Sequence, residues 1–135
     1  MNAQFDHEKL EVYQRSLVLS AWVGELLESL PKSSALWKQL DRASISIALN
    51  IAEGNGKYTP ADRCRFFDIA RGSALESAAA LDLIVVREFV VKQRIQEGKE
   101  HLHAIVSMLT GLIKSTSRQR AYEDSAEYST LVAQD

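Results

Sequence analysis

Polar side chains that could take part in catalysis or metal binding recur along one helical face between residues 39 and 54. They stand at offsets of 4, 4 and 3, which aligns them on a helix: Arg42, Ser46, Asn50 and Glu53. Further along, Ser73 and Glu76 repeat this chemistry in a second helical segment. Two glutamates could form a carboxylate pair for acid–base catalysis or metal binding. Metal sites in helical bundles usually add a histidine three residues after the glutamate, and positions 56 and 79 hold glycine and alanine instead.

The alternative interpretation is that these residues form a polar network with a purely structural role. An unpaired buried polar group costs about 1–3 kcal/mol, so polar side chains on a largely apolar helix need partners. We expect Arg42 to pair with Glu76 or Glu53, and the remaining hydrogen bonds to be made among Ser46, Asn50 and Ser73. A small enzyme that uses Glu53 and Glu76 is a remote alternative. We predict that the protein is not an enzyme.

Basic residues cluster around the next turn and could meet phosphate groups: Lys57, Arg63, Arg65 and Arg71, with Tyr58 among them. The preceding glycines lack the Gly-Lys-Ser/Thr ending of a nucleotide-binding loop. A solvated, salt-bridged surface is the alternative, and the net charge of −2 is far from the strongly basic balance of a dedicated nucleic-acid binder.

The histidines and the cysteine offer no second constellation. His101 and His103 stand two residues apart and project in different directions from a helix, and His7 has no ligand neighbour at suitable spacing. Cys64 is the single cysteine, which excludes an internal disulfide framework and favours a reducing, cytoplasmic location. We therefore predict neither a metal nor a cofactor.

Long helices must position these residues. The chain has 135 residues, 46% of them hydrophobic, and only six glycines and two prolines interrupt it. The periodicity predicts helices over about 6–28, 34–53, 60–87 and 92–115. Residues 1–116 would form one all-α domain, an antiparallel up-down-up-down four-helix bundle. Residues 117–135 would form a flexible acidic tail. No apolar run approaches the roughly 20 residues that span a bilayer, so no membrane partner is expected.

Two of these helices show more apolar surface than a single core needs. The second helix carries a stripe of Ile45, Leu49 and Ala52 besides its main one, which predicts burial nearly all round. The first helix likewise shows two apolar stripes. A neighbouring chain could cover the second face, and a central position in the bundle would serve equally.

Three motifs resemble one known family. The longest is Leu40-x-Arg42-Ala43-x-x-Ser46-Ile47-x-x-Asn50-Ile51-Ala52-Glu53-Gly54. The others are Phe66-Phe67-x-Ile69-Ala70-x-Gly72-Ser73-Ala74-x-Glu76 and an opening Phe5-x-x-x-x-Leu10-x-Val12-Tyr13. Together they are similar to the 23S rRNA intervening-sequence proteins over about residues 5–115.

The resemblance implies a four-helix bundle that assembles as a ring-shaped homopentamer. A related branch of the family assists reverse transcriptases of diversity-generating retroelements and binds nucleic acid. We therefore predict a non-catalytic oligomeric scaffold that binds RNA or a nucleic-acid-processing partner. The alternative is a protein-binding or structural ring without affinity for nucleic acid.

Overall fold

The computed structural model describes residues 4–133, with the helical backbone alone for residues 120–124 and 127–133. Every element in this range is helical: α1 (Glu11–Leu27), α2 (Ala35–Asn55), α3 (Pro60–Val86) and α4 (Gln96–Ala133). Short 3₁₀ turns, Asp6–Lys9 and Lys92–Ile95, precede α1 and α4. Residues 4–133 are therefore all-α, with four α-helices.

Local capping chemistry sets the starts of α2 and α3. The Ser34 hydroxyl accepts a hydrogen bond from the Leu36 N–H at 3.2 Å. Thr59 does the same for the Asp62 N–H at 3.2 Å, and Pro60 occupies the first helical position, where no N–H is needed. Both starts lie within one residue of those predicted.

The first and fourth helices differ from their predicted bounds. Leu10 has extended backbone angles (φ −73°, ψ 127°), so α1 begins at Glu11 and Asp6–Lys9 is a separate 3₁₀ turn. The fourth helix begins at Gln96 after its own 3₁₀ turn and continues to Ala133, well past the predicted end at residue 115. The flexibility predicted for residues 117–135 concerns motion and stays a prediction. The acidic side chains of that tail, Glu123, Asp124, Glu127 and Asp135, lie outside the described residues.

Glycine does not end α2 in the expected way. With α2 predicted to end at residue 53, Gly54 would be the usual left-handed residue just past the helix. It lies inside α2 instead, and Gly56 has a φ of −84°. A Cβ on Gly54 would stand 2.9 Å from ring atoms of Phe67, so close helix packing explains this glycine. The left-handed residue of the described chain is Glu88, with a φ of 65° just beyond α3.

One core lies between the four helices. Each of α1 and α3 packs against both α2 and α4. The fully buried side chains come from every helix: Leu19, Leu26, Leu40, Ile47, Ile51, Phe67, Leu81, Ile84, Leu102, Ile105 and Leu109. Small buried residues of α3, Ala70, Ala74 and Ala80, allow its neighbours to approach closely.

The second apolar faces lie outside this core. Ile45 and Leu49 of α2 are 45% and 64% exposed, and Leu17 of α1 is 48% exposed. The expectation that α2 is buried nearly all round is therefore wrong for the single chain, because only one side of α2 meets the core. Within the described residues, no helix is both long and apolar enough to cross a membrane.

Candidate functional site

Three polar side chains meet between α2 and α3. The Ser46 and Ser73 hydroxyls are 2.8 Å apart across the helix pair. The Asn50 amide Nδ2 donates to the Ser46 carbonyl at 2.8 Å and to the Ser46 hydroxyl at 3.0 Å. Ser73 is buried, so these bonds supply partners where water has little access. The contacts link the two helices at one register.

A second group extends the same side of α2. Arg42 Nη2 lies 3.5 Å from Glu76 Oε1 and donates to Gln39 Oε1 at 3.1 Å. Gln39 Nε2 in turn donates to Glu76 Oε1. The side chains of Arg42 and Glu76 are 72% and 42% exposed, so this pairing is a surface one in the single chain. The sequence interpretation omitted Gln39, although its place three residues before Arg42 puts it on the same helical face.

Glu53 does not join this network. Its carboxylate lies 3.2 Å from Lys57 Nζ, four residues later on the chain, and its side chain is 55% exposed. Glu53 and Glu76 thus meet different basic residues, and no separate carboxylate site forms around the two. Among the described residues, no group of three or more potential ligands could hold a metal ion.

Two of the four basic residues flank one aromatic ring at the α2–α3 turn. Lys57 Nζ lies 5.0 Å and the Arg65 guanidinium 4.5 Å from the centroid of the Phe66 ring. These distances allow cation–π attraction between each charged group and the ring. Both charged groups also remain at the surface. Arg65 also lies 4.0 Å from Asp62. Tyr58 is fully exposed in the same turn.

The other two basic residues stand apart, so the predicted cluster is not one patch. Arg71 Nε donates to the Thr110 hydroxyl of α4 at 2.9 Å. Arg63 is half-buried, and its Nε has no hydrogen-bond partner among the described residues. Residues close in sequence on a helix point in different directions, and the sequence interpretation did not separate them.

The histidines lie in three different settings. His101 is largely buried, its side chain 16% exposed, and Arg15 Nε donates to its Nδ1 at 2.9 Å. This pairing of α1 with α4 was missed, because no sequence signal joins residues 86 positions apart. His7 meets the Tyr13 ring edge-on at 4.7 Å, and His103 is exposed.

Cys64 is half-buried against α4. Its sulfur lies 3.7 Å from the Ile113 carbonyl oxygen and 3.5 Å from the Ser117 hydroxyl. Neither neighbour is a base, so these contacts provide no activation of the thiol.

The chain is similar to known proteins along most of its length. The model of the 23S rRNA-intervening sequence protein family matches residues 8–111. A crystal structure of a protein of unknown function from the S23 ribosomal protein family of Bacteroides thetaiotaomicron shares 25% identity, with a TM-score of 0.72. The likeness covers 76% of this chain and 98% of that one. No curated protein matches. This chain belongs to the 23S rRNA-intervening sequence protein family.

Proposed function

We propose that the protein is a non-catalytic, self-associating helical scaffold. Its four helices form an antiparallel up-down-up-down bundle in the reducing cytoplasm, and several copies close into a ring, a pentamer by family resemblance. Contacts between α2 and α3 support the antiparallel order, because later residues of α2 meet earlier residues of α3: Gln39 meets Glu76, Ser46 meets Ser73, and Gly54 meets Phe67.

The observation that carries this proposal is the apolar surface outside the core. Leu49 is 64% exposed and Val86 is 74% exposed, with Ile45, Ile69 and Leu83 each more than two-fifths exposed. Exposed apolar side chains that form a contiguous patch are typical of surfaces that bind protein. The described polar groups, by contrast, hold helices together or pair on the surface, and none forms a nucleophile–base pair.

Binding to RNA or to a nucleic-acid-processing enzyme is the second candidate. Its support is the α2–α3 turn, where Lys57 and Arg65 flank Phe66 beside the exposed ring of Tyr58. Cationic groups next to an exposed aromatic ring suit a phosphate backbone with unstacked bases. Glu53 and Asp62 offset part of this charge, which favours the scaffold with a protein partner as the first proposal.

The mass of the protein in solution tests the scaffold. Sedimentation velocity at micromolar concentration should show a species several times heavier than 15.1 kDa. A single 15.1 kDa species at every concentration would refute self-association.

Anisotropy titrations of labelled single- and double-stranded RNA and DNA, at two salt concentrations, test the second candidate. Binding through the turn should weaken steeply with salt, and Lys57→Gln should reduce the salt slope by about 1. Lys92→Gln removes the same charge from a segment outside the turn and should leave the slope unchanged. Absence of binding at low salt would leave the protein-binding scaffold alone.

A further inference from the structure

An outward stripe on α3 has the spacing of a helix-packing seam. Its residues follow each other at alternating steps of three and four: Ile69, Gly72, Glu76, Ala79, Leu83 and Val86. Ile69, Leu83 and Val86 are 43%, 49% and 74% exposed, so no described helix covers these three apolar side chains. Alternating steps of three and four are what a helix shows toward a partner that crosses it at a shallow angle. We refer to this stripe as the α3 seam.

Polar Glu76 lies in the middle of the α3 seam and is held in place there. Arg42 and Gln39 both contact its carboxylate. A single polar group within an apolar seam fixes the register of packing. If the partner helix were shifted along the seam, it would bury this group against apolar side chains, without a polar partner.

A matching stripe runs along α1. It also advances by steps of three and four residues: Gln14, Leu17, Ala21, Gly24 and Glu28. Leu17 is 48% exposed, and its neighbour Val18 is 51% exposed. We refer to this stripe as the α1 seam.

Each seam contains a glycine that the single chain does not require. A Cβ on Gly24 or on Gly72 would meet nothing within 4 Å. Gly111 of α4 is equally open, but its stripe is polar, with Ser107 and Lys114 as neighbours. An open glycine among exposed apolar side chains leaves room for another helix to approach closely, and that combination occurs on α1 and α3.

The two seams differ in charge, which favours contact of one with the other. Glu25 and Glu28 are exposed at the end of the α1 seam, and Glu11 at its start. Arg65 and Arg87 are exposed at the two ends of the α3 seam, where the acidic Asp62 and Glu88 stand beside them. Pairing α1 with α1 would bring the glutamates together, whereas pairing α1 with α3 brings them to arginines.

We propose that the α1 seam of one copy packs on the α3 seam of the next. This inference rests on the proposed self-association and names the surfaces that produce it. Within each chain α1 and α3 both pack between α2 and α4, so the seams lie on opposite sides of the molecule. Contact between unlike surfaces on opposite sides adds copies head to tail, and a suitable rotation closes them into a ring.

Complementary single variants test the pairing. Leu17→Glu places a carboxylate in the α1 seam and leaves the α3 seam intact, while Ile69→Glu does the reverse. Leu17 is 48% and Ile69 43% exposed, so the fold should tolerate the change, which helical circular dichroism would verify. Ser107→Glu adds the same charge on the polar stripe of α4 as a control. Should a glutamate variant lose helicity, Leu17→Gln and Ile69→Gln take its place.

We expect each seam variant alone to self-associate more weakly, with the dissociation constant between copies raised by about tenfold or more. An equimolar mixture of the two should form a species of two copies, because one intact α3 seam and one intact α1 seam remain to meet. The control should assemble as the unmodified protein does.

Three results would overturn the inference. The first is normal assembly of either variant alone. The second is a dimer formed by each variant on its own, and the third is a mixture of the two variants that stays monomeric. An unmodified protein that is itself monomeric would instead refute the proposed self-association. Assembly that appears only with a second, different protein would assign the seams to that partner.

Discussion

A single methyl group at position 98 should destabilise the protein, although alanine favours helix more than glycine does. Gly98 is buried in the first turn of α4, against the indole ring of Trp22 from α1. A Cβ at this position would stand 2.2 Å from Trp22 Cζ3 and 2.3 Å from Cη2. Trp22 is 8% exposed and belongs to the core, so its ring has little space to move into.

The magnitude follows from two opposing effects. Overpacking of a core costs about 1–3 kcal/mol, and the gain in helix propensity returns at most about 1 kcal/mol. We expect Gly98→Ala to lower the free energy of unfolding by about 1–2 kcal/mol. For a chain of this length that corresponds to a decrease in Tm of about 3–7 °C.

Urea and thermal unfolding of matched variants would measure this effect, at one protein concentration because the proposed assembly would make Tm depend on concentration. Gly111→Ala is the control in the same helix. A Cβ there meets nothing within 4 Å, so only the propensity gain of about 0.5–1 kcal/mol should remain. The two glycine replacements should change stability in opposite directions.

A double-mutant cycle isolates the contact itself. In a Trp22→Leu background the clashing ring atoms are gone, and Gly98→Ala should become neutral or stabilising. If Gly98→Ala were as stable as the unmodified protein, or equally destabilising without Trp22, the packing argument would be refuted.

Three further changes test other parts of the structure. Gly54→Ala should destabilise by about 1–3 kcal/mol, since its Cβ would stand 2.9 Å from Phe67; an unchanged urea midpoint would contradict this. Glu88→Gly should stabilise by about 0.5–1 kcal/mol in thermal unfolding, because φ is 65° there, and a lower Tm would argue against strain. Ser73→Ala removes the partner 2.8 Å from the Ser46 hydroxyl and should cost about 1 kcal/mol in urea unfolding; no loss would mean that the helices do not depend on this bond.

Helix positions were largely predictable because they depend on local chemistry. Thr59, Pro60 and Asp62 mark the start of α3 through a cap, a missing N–H and the first-turn charge, and the structure begins α3 at Pro60. Predictions were wrong where tertiary contacts override local preference. Gly54 remains helical because Phe67 packs closely against it, and the left-handed residue is Glu88 beyond α3, where the sequence offered no glycine.

The candidate site was predictable only in part. Helical spacing brings Ser46 and Asn50 together, and the meeting of Ser46 with Ser73 was anticipated because polar groups on apolar helices need partners. The partners of two charged residues were not predicted. Glu53 had Arg42 on its own helical face, yet it meets Lys57, and Arg71 turns to Thr110 on a distant helix. The Glu53–Lys57 pair spans four residues and is local, whereas the rotation of α3 about its own axis decides the pairing of Arg71.

The sequence by itself determined that the described chain is helical, where α2 and α3 begin, and that α1 and α2 carry more apolar surface than one core requires. These properties depend on caps, propensity and periodicity, which act within a few residues. The tertiary structure alone decided which apolar stripe enters the core and which stays outside. Burial is a property of the assembled helices, so identical leucines can differ completely: Leu40 is fully buried, whereas Leu49 on the same helix is 64% exposed.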